Sequence, residues 1–234
     1  MNERKWRPLT SRDRRVLGVL VEKAKTVPDT YPMSLAALVS GCNQKNNRYP
    51  LMELETNDVE EALDRLKQVG AVVEVQSSSR VARFKHMLYE WLGVEKVELA
   101  VMAELLLRGA QTEGELRGRA ARMEPISDVA ALRPILDALK HKGLIVSLTS
   151  EGRGHVLTHA LYEDRELEKL RAEHQGQAAR PMEEDDERPP VLSRALSPPT
   201  NSAELTELRG EVAELRDELS KLRDEFERLA ASLG

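Results

Sequence analysis

Apolar positions along this chain follow a helical period three times, then a period of about two, and the whole order then repeats. Val16, Leu17, Leu20, Val21 and Ala24 form one face of a predicted helix that starts near Thr10. A short second helix follows, with Ser34 placed to cap it and Leu35, Leu38 and Val39 to bury. A third carries Val59, Ala62, Leu63, Leu66 and Val69 and ends at Gly70, a residue that tolerates the left-handed cap. The second round runs through Val94, Val97, Val101, Met102 and Leu105. Thr112 with Glu115 then makes a capping box for its second helix. Its third helix carries Leu132, Ile135, Leu136 and Leu139 and ends at Gly143. Pro134 suits that helix only in its first turn, where the amide donors are free anyway.

After each glycine the period shortens. Residues 71–76 and 81–86 flank the polar tip at 77–80, and residues 144–149 and 155–159 flank the tip at 150–154. Each pair reads as a β-hairpin. The two rounds align directly. EALDRLKQVGAVVEV at 61–75 matches PILDALKHKGLIVSL at 134–148, and HMLY at 86–89 matches HALY at 159–162. Three helices and a hairpin, twice, predict a mainly α chain with small β-hairpins: two tandem winged-helix domains at 7–90 and 93–163.

The pattern then lapses. Residues 164–200 are charged and proline-rich and are expected to be a disordered linker, with 163–172 as a frayed helical extension of the second domain. Beyond it, Leu205, Leu208, Val212, Leu215, Leu219, Leu222, Phe226, Leu229 and Leu233 alternate spacings of three and four, which is a heptad seam and predicts a coiled coil over 201–233. Glu204, Glu211, Glu218 and Glu225 hold the g positions, and Arg209, Arg216 and Arg223 the e positions. Glu meets Arg only between parallel strands. The expected partner is therefore a second copy of the chain in a parallel homodimer, with a trimer left open by the mixed a positions.

CNQKNNRYP at 42–50, LLLRGAQTEGELRGRAARM at 105–123 and the TYPMS entry to the second helix at 30–34 carry a resemblance. Over residues 8–163 the chain resembles the YceH-like family of bacterial tandem winged-helix proteins. The resemblance implies that fold and no activity, and it does not reach the linker or the coiled coil.

Charge changes the picture in one way. The net charge of −5 is unevenly spread. Residues 1–90 carry 15 Lys and Arg against 12 Asp and Glu, and the excess of acid falls after residue 165, so the total does not exclude a nucleic-acid partner for the body. Cys42 is the only cysteine and reads as a buried structural thiol. With no signal-like or membrane-length apolar run, the chain is expected to be cytoplasmic and without a membrane partner. His155 and His159 share a strand face but lack a third ligand at metal spacing, and no phosphate-binding or dinucleotide fingerprint occurs. No metal, cofactor or enzymatic activity is expected.

The candidate contacts are basic and amide side chains. Asn43, Gln44, Lys45 and Arg48 lie in the loop between the second and third helices, and Arg117, Arg119 and Arg122 around the later second helix. Arg80, Arg83 and Arg153 belong to the hairpins, and Arg4, Lys5, Arg7, Arg12, Arg14 and Arg15 to the N-terminal arm. Such groups suit phosphates, but they also cap helices and pin domains together. Asp58, Glu60, Glu61, Asp64 and Asp128 gather at the start of the third helices, where a helix-turn-helix would enter the major groove. The expectation is a nucleic-acid-associated regulator or architectural protein of loose sequence specificity. The alternative is a protein-binding scaffold in which both domains serve as interaction surfaces.

Overall fold

A computed structural model describes residues 6–75, 81–152 and 154–178. The described residues are mainly helical, with two small antiparallel sheets. The first round consists of α1 (Ser11–Thr26), β1 (Met33–Ser34), α2 (Leu35–Cys42), α3 (Thr56–Gln68), β2 (Val72–Val75) and β3 (Arg83–His86). A short α4 (Leu88–Leu92) leads to the second: α5 (Lys96–Arg108), β4 (Gln111–Thr112), α6 (Glu113–Ala120), α7 (Val129–His141), β5 (Ile145–Ser147) and β6 (Val156–His159). Helix α8 (Asp164–Ala178) follows. The heptad residues 201–233 and most of the 164–200 segment lie outside the described residues.

Local chemistry accounts for most boundaries. Thr10 accepts from the Asp13 amide while the Asp13 carboxylate accepts from the Thr10 amide, closing a capping box that starts α1. Ser34 caps α2, and Thr112 with Glu115 caps α6. Gly70 and Gly143 both take positive φ just past their helices, so the chain can turn at once into β2 and β5. Each hairpin gains a third strand that the period-two pattern does not reveal. β1 pairs with β3 and β4 with β6, antiparallel, giving the orders β1-β3-β2 and β4-β6-β5. Two-residue strands are too short to show alternation.

Two expectations are corrected. Pro134 lies inside α7 rather than in its first turn. Asp128 caps the Ala131 amide at 2.8 Å and starts the helix earlier than the proline suggests. Leu132 before the proline and Leu136 and Leu139 after it are all buried, and that burial holds the helix across the lost hydrogen bond. The chain is also helical through Ala178, where residues 164–200 read as linker. Arg14 and Glu166 form a two-pronged ion pair that ties α8 to α1, a contact between groups far apart in sequence.

The first helices of the two rounds pack on each other. Leu99 to Leu107 of α5 are all buried, and so are Asp13 to Glu22 of α1. A helix buried on every side needs apolar residues on every side, and LAVMAELLL in α5 has them. Close approach depends on Gly18, because a Cβ there would sit 2.8 Å from Leu107 Cγ. One continuous core runs from Trp6 to Leu161 through both rounds.

Candidate functional site

Two carboxylates are buried where the rounds meet. Glu22 ends the buried stretch of α1, and Glu104 interrupts the apolar run of α5; their side chains are 2% and 0% exposed. Arg48 grips Glu22 through both terminal nitrogens, at 2.5 and 3.3 Å, and donates through Nε to the Gly41 carbonyl. Arg122, from the second round, also bonds Glu22 and reaches Glu104 at 3.2 Å. Arg108 Nε lies 3.1 Å from Glu104 but out of line for a hydrogen bond, so that contact is one of charge alone. Its other arm donates to Asn47 in the first-round loop. Burial works against the Glu22 carboxylate, yet the hydrogen bonds and charge of Arg48, then Arg122, outweigh it and hold its pKa below the usual value. The loop backbone is stitched across as well, from the Tyr49 amide to the Leu107 carbonyl.

The two longest stretches that carry the family resemblance therefore meet one another. Asn43 holds the backbone of Leu54 through both its amide nitrogen and its oxygen. Gln44 accepts from Arg48 and Lys23. Arg119 bonds Gln111 and Glu115, Arg117 the Ser127 carbonyl, and Arg83 the Pro32 carbonyl. In the N-terminal arm, Arg12 pairs with Asp58, and Arg15 donates to the carbonyls of Cys42 and Pro50. Of the described candidates, Lys45 is exposed and has no hydrogen bond or ion pair among the described residues. Arg4, Lys5, Arg80 and Arg153 lie outside the described residues. The sequence reading missed Glu22 and Glu104, although an acid inside LAVMAELLL was a signal that a buried cation must face it.

The histidines have local work. Nδ1 of His86 accepts from the Leu88 amide at 3.4 Å, and Nδ1 of His159 from the Leu161 amide at 3.2 Å. This is the common content of HMLY and HALY: an unprotonated imidazole turns the chain out of the hairpin. Burial holds both neutral, lowering His86 to about 4 and His159 well below its ordinary value. His155 sits between Glu113 and Ser147. Cys42 is buried, and burial pushes its thiol up to about 12, which leaves it unreactive at neutral pH.

The outward surfaces look different. α3 exposes Asn57, Glu60, Glu61 and Asp64. Tyr49 and Leu51, 70% and 64% exposed, project from the loop whose Arg48 is buried. No helix among the described residues is long and apolar enough to cross a membrane.

These features define a mainly helical protein of two like halves joined by a buried ionic junction. Residues 9–153 match the family model described as protein of unknown function, DUF480. The chain belongs to this family, the YceH-like one that its motifs resemble. A UPF0502 protein of Rhodopirellula baltica is 49% identical over 177 residues, 74% of this chain and 75% of the relative. Others from Cupriavidus taiwanensis and Geobacter sulfurreducens are 51% and 48% identical over 133 and 128 residues, which cover 57% and 55% of this chain. In those two cases the match spans little more than half of the relative, 54% and 58%.

Proposed function

We propose that this protein is a non-enzymatic protein-binding scaffold: two winged-helix units fused into one body, multiplied by a C-terminal parallel coiled coil. The observation that carries the reading is the use of its cations. Arg48, Arg83, Arg117, Arg119 and Arg122, which the sequence offered to phosphates, are engaged by acceptors of the protein itself. The helix that would enter a major groove presents Glu60, Glu61 and Asp64, which repel phosphates. Exposed Tyr49 and Leu51 are the kind of side chain that anchors protein contacts. The winged-helix reading draws support from the repeated order of three helices with a three-stranded sheet. The coiled coil rests on the heptad at 201–233 and its Glu–Arg flanks.

A duplex titration at two salt concentrations tests the function. Phosphate-driven binding weakens steeply with salt. The scaffold reading expects weak binding at low salt and no loss on Lys45→Ala. Tight, salt-dependent binding that Lys45→Ala weakens for all sequences would restore the nucleic-acid reading. Changing Leu215 and Leu222 together to polar residues should give a monomer by sedimentation with the helical body intact. A variant that stays oligomeric would refute the coiled coil.

A further inference from the structure

A cavity of about 480 Å³ opens beside the junction, where α1, the Tyr49–Met52 stretch, the end of α5 and α8 converge. Its size falls within the range of small-molecule sites. Leu106, Met52 and Leu170 give it an apolar wall, and Tyr49 and Tyr162 an aromatic one. Its charges do not balance. Arg14, Arg15, Arg108 and Lys169 line it against Glu166 and Glu173. Arg14 is matched by Glu166 and Arg108 by Glu104. Among the described residues Arg15 meets no carboxylate. It is 1% exposed, and among those residues it bonds only the carbonyls of Cys42 and Pro50 and leaves Nε without a partner. Lys169 is exposed and forms no ion pair among the described residues.

A buried cation without a counter-ion is costly, and an anion placed nearby in the same low-dielectric surroundings relieves that cost. We infer that this cavity is a binding site for a small organic carboxylate with an aromatic or branched aliphatic body. The carboxylate lies toward Arg15 and Lys169, and the body against Leu106, Met52 and Leu170. Because the cavity is walled by both rounds and by α8, an occupant would hold all three together. The inference is independent of what the outer faces bind.

Calorimetric titration of the full chain with phenylacetate, and with the isosteric neutral phenylacetamide, tests it. Methyl shifts of Met52, Leu106 and Leu170 locate the probe. Saturable binding of phenylacetate is expected, with the amide weaker by about tenfold or more. Lys169→Glu, on an exposed side chain that leaves folding intact, should weaken phenylacetate by about tenfold. Leu170→Trp should fill the cavity and abolish binding. No saturation, equal affinity for acid and amide, methyl shifts elsewhere, or displacement by inorganic phosphate as effective as by phenylacetate itself would each overturn the site. No nucleic acid or protein partner enters the experiment, so its failure leaves the scaffold reading standing and the reverse also holds.

Discussion

The junction between the two rounds and the outer face of α3 draw on the same residue types and use them in opposite ways. At the junction Glu22 and Glu104 are sealed from water, and each meets more than one arginine. On α3, Glu60, Glu61 and Asp64 stand in solvent, and half-buried Lys67 bridges Asp64. A charge in water interacts weakly with its neighbours, whereas a charge out of water must be matched or the fold suffers. The lesson for this chain is that a dense run of Arg and Asn does not by itself announce a surface. Arg48 and Lys45 are three residues apart, yet one is buried and the other is exposed.

Breaking the junction should have the largest effect. Glu22→Ala leaves the buried Arg48 guanidinium facing no carboxylate and Arg122 facing Glu104 alone, and should cost about 3–5 kcal/mol in urea unfolding. Replacing Glu22 with Leu and Arg48 with Met, while Arg122 stays on Glu104, should recover part of that loss, because apolar packing often equals a buried ion pair. A Glu22→Ala loss no larger than that of a surface pair would erase the distinction between the two regions.

Acid should come next. His86 is depressed in the folded state to about 4 from 6.5, so the unfolded chain takes up its proton first. Its contribution is present above the unfolded value and is lost as pH falls from 6.5 through about 4. The loss is on the order of 3 kcal/mol. His159 and Glu22 are depressed too, and push the same way. Melting temperature against pH should show the fall, and His86→Leu should flatten part of it.

Gly18→Val should cost about 1–3 kcal/mol, since its Cβ meets Leu107 in a packed interface and outweighs the gain in helix propensity. Outside the junction the effects should shrink. Arg12→Ala removes a half-exposed pair with Asp58 and should change stability by about 1 kcal/mol or less. Lys45→Ala should move it by about 0.5 kcal/mol at most. A larger loss at Lys45 than at Arg12 would mean that the loop tip, too, is held by contacts.

Much of the architecture was legible before any coordinates, and the reason is distance along the chain. A helical face, a capping box such as Thr112 with Glu115, a left-handed glycine such as Gly70 and a hairpin are each decided by residues within a few positions of one another. The repeat then doubled the evidence for each. The short strands β1 and β4 escaped because two residues carry no period, and the start of α7 escaped because Pro134 suggested a later one. The junction escaped for a different reason. Glu22 is bound by Arg48 and by Arg122, 26 and 100 residues away, and no spacing rule joins them. Which arginines face water and which face a carboxylate depends on how α1 and α5 come together around Gly18, and that packing exists only once both halves have folded.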